Sequence, residues 1–543
     1  MVSGVPDGTV PARLTLWDTV TGEPAEISGG PEPASGRGLS GGVHHWHPDG
    51  ESVVYVASDG SVWRCNVTTH RATEVLAAGG RRWWGPVHSR SGRAVAVVAD
   101  QNELMRVDAD VTVASVHRED DGWVMDAAWF GDSPVALRWS RPEMSWTTSS
   151  LTGSPGRPGV SVQQPFSNGT CTGWVSDENG AWNVVVDGIT VDDGLEHAGP
   201  VWGPGQRTWC TDDEGRKVAY TRNEAGFGSL WVLDRVSRSR VMAGRAVHGC
   251  VSWSGTTLAA VRSGARTPPQ LVAYDMSDPL APRRVLTAGT APGAWSSFDG
   301  DLVEPTVHAA GDVPYRLYRA SRPNGRLIVW VHGGPVDQWQ VTWRPRFTYW
   351  LSRGYSIAVP DHRGSTGHGR SFRLALEGSW GAADADDTAL VVRHAQGLLG
   401  AAARSTALMG GSAGGLSVLS AAARHATLAA CAVVSYPVTD LGLLLATPDP
   451  FEGHYNRRLV GDPAVSPAVS PGHLVDVPVL SFHGDLDEIV VPAHSLGLRD
   501  AVISAGGSVR VEMMTGEGHG FREPANIVRE YALTEAFLGE HLA

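Results

Sequence analysis

Short apolar runs separated by glycine-containing turns fill the first half of the chain. Six of these turns place a glycine just before an apolar or β-branched run, at positions 50, 92, 131, 180, 215 and 255. The spacing is near the ~40–45 residues of a four-stranded propeller blade. Blades stacked around an axis bury the faces that a single blade would leave exposed. The pattern therefore predicts a β-propeller, with a β-sandwich or a solenoid as the alternative.

The number of blades depends on the two ends of this repeat. The six turns account for six blades. Residues 13–28 look like the outer strand pair of another blade, and residues near 291–300 could supply its inner strands. Seven blades are therefore expected, with six as the alternative.

From about residue 300 the pattern changes to apolar strands that alternate with helices. Strands whose two faces are both apolar are typical of parallel sheets, which are covered by helices. Two domains are predicted, a β-propeller at 1–298 and a doubly wound, mostly parallel α/β domain at 299–543. The predicted strands are RLIVWV (326–331), YSIAVP (355–360), TALMG (406–410), CAVVSY (431–436) and VPVLSFHG (477–484), and the clearest helices are 384–400 and about 524–542.

Composition narrows the classes of partner. The 543 residues carry a formal net charge of −13, which argues against nucleic acid and anionic membrane surfaces as main partners. No apolar run approaches the ~20 residues of a membrane span, and no signal-peptide pattern opens the chain. Five scattered cysteines without a CxxC pair make a disulfide framework or a thiolate zinc site unexpected. A cytoplasmic location is therefore predicted.

A candidate nucleophile lies between a predicted strand and a predicted helix. Residues 410–415 read GGSAGG and contain the pattern G-x-S-x-G. In this context the pattern is typical of a nucleophile elbow, in which a sharp turn exposes a serine hydroxyl. The helix that follows brings partial positive charge to the same point. Ser412 is therefore the predicted nucleophile.

A serine needs a base, and the base needs a group that orients it. In α/β-hydrolases the acid and the histidine follow the serine in that order. Asp485 and Asp487 come after a buried strand, and His519 comes after the next strand. We expect a triad of Ser412, His519 and one of these two acids.

The oxyanion formed during acyl transfer needs N–H donors. The amide of Ala413, directly after the nucleophile, is one candidate. The loop VHGGP (331–335) ends the first apolar strand, and its Gly334 N–H is the second candidate. His332 is expected to be structural.

Other clusters carry weaker signals. His44, His45 and His47 have the spacing of metal ligands, but Pro-Asp-Gly follows them and marks a propeller turn. Three acids at 384, 386 and 387 fit the start of a helix better than a cation site. No P-loop or dinucleotide fingerprint is found. No metal and no organic cofactor are expected.

Several motifs together resemble the prolyl oligopeptidase family of serine peptidases, closest to its acylaminoacyl-peptidase and aminopeptidase-like branch. The matching segments are VHGGP (331–335), DHRGSTGHGRSF (361–372), GSWGAADADD (378–387), GGSAGG (410–415), YPVTDL (436–441), FEGHYNRRLVGDP (451–463), HGDLDEIVVP (483–492) and GEGHGF (516–521), with WSRPEMSW (139–146) and WVSDENGAWN (174–183) in the first half. The resemblance implies a propeller that caps an α/β-hydrolase, with the active site in a cavity between them. It also implies that Asp487, the first acid of a D-x-x-V motif, orients the histidine.

The resemblance further implies substrate contacts. Tyr455 and Val490 fall where the family lines the pocket for the residue before the scissile bond. Glu452 is a candidate partner for a substrate amine, and Ile489 stands where relatives often have arginine or asparagine. Ala413 and Leu459 replace tyrosines found in parts of the family. These departures imply an apolar and more open site.

The sequence therefore predicts a serine peptidase that hydrolyses amide bonds of short peptides or (acyl)aminoacyl substrates. The propeller would act as a size filter, and a homo-oligomer that narrows access would suit the same purpose. One alternative is a tailoring hydrolase, esterase or acyltransferase that acts on a small metabolite. Another is a non-catalytic propeller binding module.

Overall fold

The chain folds as two units, Met1–Pro292 and Gly293–Ala543. The computed structural model describes residues 2–3, 12–27, 29–34, 42–278, 281–288 and 296–543. Antiparallel sheets make up the first unit and a mainly parallel sheet with helices makes up the second. The predicted fold class, a β-propeller followed by an α/β-hydrolase, is confirmed.

The described residues of the first unit form successive antiparallel sheets, five of four strands and two of three strands. Consecutive strands are neighbours in each sheet, as in propeller blades. The strands are β1 Val2–Ser3, β2 Arg13–Trp17 and β3 Pro24–Ile27; β4 His44–Trp46, β5 Ser52–Val56, β6 Val62–Asn66 and β7 Ala72–Leu76; β8 Trp83–His88, β9 Ala94–Ala99, β10 Glu103–Asp108 and β11 Val113–Arg118; β12 Gly122–Phe130, β13 Ser133–Ser140 and β14 Ser150–Leu151; β15 Val162–Ser167, β16 Thr172–Ser176, β17 Asn183–Val186 and β18 Ile189–Thr190; β19 Trp209–Thr211, β20 Lys217–Glu224, β21 Phe227–Asp234 and β22 Arg240–Arg245; β23 Val247–Ser254, β24 Thr257–Gly264, β25 Thr267–Asp275 and β26 Arg284–Ala288.

Neighbouring sheets bury their faces against each other, which is the physical reason for the repeat. Val54 of the β4–β7 sheet shares a buried cluster with Val97 of the β8–β11 sheet. On the other side of that sheet, Leu104 clusters with Val124 of the next. Burial of apolar surface stabilises the fold by roughly 25 cal/mol per Å². The stack of sheets, rather than any single sheet, therefore forms the core.

The six turn glycines all adopt the left-handed backbone conformation that the prediction needs, with φ between 54° and 90°. Five of them precede the second strand of a sheet, but Gly180 precedes β17, a third strand. Gly169, at φ 86° before β16, occupies the equivalent place in that sheet. The uneven spacing of the repeat around Gly180 therefore arises from a different turn of the same blade.

The first and last sheets of this unit are joined by a hydrogen bond. Arg284, at the start of β26, donates from Nη1 to the carbonyl of Thr19 at 2.9 Å. The strand pair predicted in 13–28 is present as β2 and β3. Of the inner strands predicted near 291–300, residues 291–295 lie outside the described residues, and Ser296–Phe298 form a 3-10 turn rather than a strand.

Three neutral histidines lie close together where β4 meets β8. Burial lowers the pKa of His44 and of His88 to about 3 and that of His45 to about 4. The His88 ring lies 4.6 Å from that of His47, and both of its nitrogens are buried without a hydrogen-bond partner among the described residues. The described residues hold no group of three or more histidine, cysteine, aspartate or glutamate side chains arranged for a metal ion.

We expect this cluster to make the protein sensitive to acid. Unfolded histidine takes up a proton near pH 6.5, whereas folded His88 does so only near pH 3. Its contribution is therefore fully present above pH 6.5 and is lost as the pH falls toward 3. His88→Phe should reduce the drop in urea midpoint between pH 7 and pH 5, whereas His473→Phe, at an exposed site, should not. An unchanged drop in the His88 variant would contradict the assignment.

The second unit is built on one eight-stranded sheet. Its spatial order is β27-β28-β30-β29-β31-β32-β33-β34, with β27 and β28 antiparallel and the other strands parallel. The strands are β27 Thr306–Ala310, β28 Val313–Tyr318, β29 Leu327–Val331, β30 Ser356–Pro360, β31 Thr406–Gly411, β32 Cys431–Ser435, β33 Val479–Gly484 and β34 Val509–Met514; the helices are α1 Pro345–Ser352, α2 Arg370–Leu374, α3 Ala383–Leu399, α4 Ala413–Arg424, α5 Leu441–Ala446, α6 Gly453–Leu459, α7 Ala493–Ser504 and α8 Pro524–His541.

The central strands are apolar on both faces because helices cover both. Val329, Leu408 and Val434 are fully buried in a cluster to which α3 and α4 also contribute. Gly354 and Gly400 follow α1 and α3 in the left-handed conformation that commonly ends a helix. The carboxyl ends of parallel strands share one edge of a sheet, and ligands of open α/β sheets bind there.

Among the described residues, no helix combines the length and the hydropathy that crossing a bilayer would need.

Candidate active site

Ser412 sits in a sharp turn between β31 and α4. Its backbone is at φ 55° and ψ −125°, a left-handed conformation that costs a non-glycine residue energy. The Ser412 N–H donates to the carbonyl of Ser435 at 3.1 Å, and its own carbonyl accepts from Val438 at 3.1 Å. These bonds to the end of β32 and to the segment after it hold the strained turn in place.

The two glycines of the G-x-S-x-G pattern are needed because the strand and the helix almost touch. A Cβ atom on Gly410 would lie 2.2 Å from the Gly414 carbonyl oxygen. One on Gly414 would lie 2.5 Å from the carbonyl oxygens of Val331 and His332. No side chain fits at either position, so this turn can form only with glycine at 410 and 414.

The structure brings Ser412, His519 and Asp487 together. His519 Nε2 lies 3.0 Å from Ser412 Oγ, and its Nδ1 lies 2.8 Å from Asp487 Oδ2. A carboxylate can only accept, so Nδ1 carries the proton and Nε2 is free to accept from the serine hydroxyl. This is the hydrogen-bond order in which a histidine can act as base toward a serine.

Asp487 is held as a carboxylate. Its Oδ1 accepts from the N–H groups of Ile489 and Val490, both at 3.0 Å. Burial opposes ionisation, but the hydrogen bonds from His519 and from these two amides outweigh it, and the net pKa of Asp487 lies below its usual value. An ionised acid at this point can accept the hydrogen bond from His519 Nδ1.

The rival acid, Asp485, faces elsewhere. Its Oδ1 accepts from the N–H of Gly516 at 2.8 Å, and the residue is exposed. Both acids lie in the turn after β33 and are only two residues apart. The backbone of this turn directs the Asp487 side chain toward His519 and the Asp485 side chain toward solvent.

Two backbone amides border the serine without an acceptor of their own among the described residues. Ala413 is the first residue of α4, and Gly334 lies in the loop after β29 at φ 125°. A Cβ on the adjacent Gly333 would lie 3.5 Å from Ser412 Cβ, which places this loop directly against the nucleophile. The arrangement fits a pair of donors to an oxyanion.

The predicted pocket residues lie in two places, at the start of α6 and in the segment between β33 and α7. Tyr455 is buried on α6, and Glu452 is the residue that caps the start of this helix. Val490 is buried beside Asp487, whereas Ile489 is 54% exposed. Burial raises the pKa of Glu452 to about 8, and the nearby Asp449 adds to the shift.

Two features of the site were missed from the sequence. Tyr436, at φ 40° after β32, places its ring 4.7 Å from that of His519. Asp361, after β30, accepts two bonds from Arg316 and one from Gln338 in the loop that follows Gly334. Both residues stand in motifs noted above, but nothing in those motifs assigned them a contact.

Comparisons with known proteins show what this chain is similar to. The model of the prolyl oligopeptidase family matches residues 339–543. Dipeptidyl aminopeptidase BIII of Pseudoxanthomonas mexicana is 30% identical over 231 residues, which cover 40% of this chain and 33% of that protein. The chain thus spans about a third of the length of the curated relatives that it matches first.

Solved structures match over almost the whole chain. A puromycin-hydrolyzing peptidase of Mycobacterium tuberculosis has a TM-score of 0.83 at 21% identity, covering 99% of this chain and 92% of that one. A mutant of puromycin hydrolase complexed with PGG also has a TM-score of 0.83, at 24% identity, covering 99% and 91%. These structures share the fold of this chain. The match over residues 339–543 shows that the α/β-hydrolase unit of this chain is similar to the prolyl oligopeptidase family.

Proposed function

We propose that the protein is a serine peptidase that hydrolyses amide bonds of short peptides or (acyl)aminoacyl substrates. The observation that carries the proposal is the continuous hydrogen-bonded path from Ser412 Oγ through His519 to Asp487, at 3.0 Å and 2.8 Å. The match of the hydrolase unit to a peptidase family supports the same reaction.

In the proposed mechanism Ser412 attacks the carbonyl carbon while His519 Nε2 takes the hydroxyl proton. The Ala413 and Gly334 amides stabilise the tetrahedral oxyanion. One such donor typically lowers the activation barrier by on the order of 3 kcal/mol. His519 then protonates the leaving amine. Water attacks the acyl-enzyme by the same steps, and Asp487 stabilises the imidazolium in both halves.

The names of relatives bear on the substrate class. They include a dipeptidyl aminopeptidase, an acylamino-acid-releasing enzyme and peptidases that hydrolyse puromycin. Amides with an amino-acid acyl part are the common element, so we propose this class for the present chain. Tyr455 and Val490 would then line the pocket for the acyl side chain.

We propose that Glu452 binds the amino group of the substrate. An ammonium group beside this half-buried carboxyl would favour its ionised form. Glu452→Gln should therefore raise KM for aminoacyl substrates by about 10- to 100-fold, the usual range for one charge-assisted hydrogen bond. The KM for N-acylated substrates should change little, and Glu540→Gln, at an exposed site, should change neither. Equal effects on both substrate classes would contradict the assignment.

We also propose that the propeller unit limits the size of the substrate. The purified chain should then cleave short peptides and leave folded proteins intact. A cytoplasmic location and the absence of nucleic-acid partners are proposed from the scattered positions of the five cysteines along the sequence and from the net charge of −13. Cell fractionation would test the cytoplasmic location, and the oligomeric state in solution would test whether the protein forms a homo-oligomer.

A specific observation favours a second candidate, a hydrolase of small-molecule esters or amides. Ala413 leaves the nucleophile without a bulky neighbour, and Ile489 presents an exposed apolar side chain. Rates on peptide amides, aminoacyl amides, puromycin and simple esters would separate the two candidates. Activity confined to non-peptide esters would reject the peptidase, and failure of a fluorophosphonate probe to label Ser412 would support a non-catalytic protein.

A further inference from the structure

The imidazole of His519 is hydrogen-bonded at both nitrogens, and the proposed reaction breaks one of these bonds. Its Nδ1 lies 2.8 Å from Asp487 Oδ2, and its Nε2 lies 3.0 Å from Ser412 Oγ. When Ser412 gives up its proton and attacks, the bond at Nε2 is lost. The remaining bond at Nδ1 does not fix the tilt of the ring plane. The base therefore needs a further contact if it is to stay in line.

The ring of Tyr436 makes such a contact. Its centroid lies 4.7 Å from that of the His519 ring, with 59° between the two planes. The ring of Phe521, two residues after His519, meets Tyr436 edge to face at 5.4 Å. Gly411, directly before the nucleophile, leaves room for the tyrosine, because a Cβ there would lie 3.2 Å from Tyr436 Cε2. The position of the tyrosine ring is therefore closely confined.

The backbone that presents Tyr436 also holds the nucleophile. The N–H of Ser412 donates to the Ser435 carbonyl, and the Ser412 carbonyl accepts from Val438. The N–H of Tyr436 donates to the Phe482 carbonyl at 2.6 Å. Tyr436 has φ 40°, in the left-handed region, where a bulky side chain is unfavourable and a glycine would be relaxed. A strained residue of this kind beside an active site suggests that its side chain has a function.

The hydroxyl of Tyr436 does not act as a charged group toward the histidine. Burial raises the pKa of Tyr436, and the opposing effect of Arg346 is smaller. The phenol is therefore neutral in the pH range in which a serine hydrolase works. What Tyr436 offers His519 is a flat ring.

We propose that Tyr436 is a positioning residue for the base: its ring packs against the His519 imidazole and keeps Nε2 in line with Ser412 Oγ and then with the leaving group. The inference rests on the proposed function, because it assigns Tyr436 a part in the same reaction. Packing that fixes the rotamer of a catalytic group matters, since a misplacement of about 1 Å can cost on the order of 10²-fold in rate.

A pair of substitutions separates the ring of Tyr436 from its hydroxyl. Tyr436→Phe keeps the ring, so kcat should stay within about twofold of the natural value. Tyr436→Leu removes the flat ring but carries the same backbone strain, and kcat should fall about 10- to 100-fold. KM should change by less than about threefold in both variants, because the ring acts through His519 and not on the substrate.

The matched control is Tyr349→Leu in α1. Tyr349 packs on the Tyr531 ring at 4.4 Å and donates from its hydroxyl to Glu535, away from the triad. This variant should keep the natural kcat even where it lowers the thermal unfolding midpoint. It therefore separates a loss of stability from a loss of alignment.

The rate of labelling by a fluorophosphonate probe tests the same contact without a peptide substrate. Attack of Ser412 on the probe needs the base, so labelling of Tyr436→Leu should slow by about the same factor as kcat, and labelling of Tyr436→Phe should not. A natural protein that labels but cleaves no peptide amide would reject the proposed peptidase, and the labelling rates would still test Tyr436. A natural protein that does not label would reject both.

Three kinetic results would overturn the inference. They are a kcat for Tyr436→Leu within about threefold of the natural value, equal losses in Tyr436→Phe and Tyr436→Leu, or a rise in KM at constant kcat. If Tyr436→Leu does not fold, Tyr436→Met, whose side chain is flexible and unbranched, takes its place with the same expected loss. A crystal structure of the ringless variant should show the His519 imidazole tilted away from Ser412, and an unmoved imidazole would also reject the inference.

Discussion

Replacing Ser412 with alanine should abolish hydrolysis almost completely. We expect kcat to fall by at least about 10⁴-fold, because the nucleophile and its base act as a unit and the remainder comes from the oxyanion site and binding alone. The thermal unfolding midpoint should change little, since the strained backbone at Ser412 is held by its neighbours' main-chain bonds. Steady-state rates on an aminoacyl amide and a calorimetric scan are the two measurements.

The control for this variant is Ser504→Ala, at the exposed end of α7. It should keep the natural rate, and it should still react with a fluorophosphonate probe, whereas Ser412→Ala should not. Hydrolysis at more than about a hundredth of the natural rate in purified Ser412→Ala would exclude Ser412 as the nucleophile. Such a result would leave the fold description intact, because no element boundary depends on the hydroxyl.

The second prediction with a large expected effect on kcat distinguishes Asp487 from Asp485. Asp487→Asn should lower kcat by about 10⁴-fold, since an asparagine favours the wrong tautomer of the base. Asp485→Asn should stay within about threefold of the natural rate, because Asp485 is exposed and bonds to Gly516 instead of His519. The two variants remove the same charge two residues apart, so each is the control for the other.

Comparable losses in both variants would mean that charge near β33, rather than one hydrogen bond, supports the base. A large loss in Asp485→Asn alone would reverse the assignment. The salt dependence of the rate offers a further check, since a long-range charge effect is screened by salt and a buried hydrogen bond is screened much less.

Much of the fold could be predicted because burial follows local periodicity. The strand RLIVWV and the helix 384–400 are present as β29 and α3, each within a residue or so of its predicted end. The turn glycines were found because a left-handed turn before a strand requires a residue without a Cβ. Gly180 made the repeat spacing uneven because it precedes the third strand of its blade, whereas the other five glycines precede a second strand. Different turns of a blade can use glycine, so the sequence does not show which strand a given glycine precedes.

The spacing of residues along the sequence could not show whether Asp485 or Asp487 contacts His519, or which side chains of the site contact each other. Asp485 and Asp487 have the same residue type, the same preceding strand and almost the same position. Tyr436 gave no sign that its ring would lie beside His519, and His332 gave none that its Nδ1 would face the Gly333 carbonyl. Each of these contacts depends on side-chain direction after a turn.

The sequence by itself determined which chemical groups exist, on which elements they stand and in what order they follow the strands of the sheet. Only the tertiary structure decided that Ser412, His519 and Asp487 meet at hydrogen-bond distance and that Asp485 turns outward. The physical reason is that periodicity records which residues are buried, whereas a contact between distant residues depends on strand order and on the backbone angles of the turns between them.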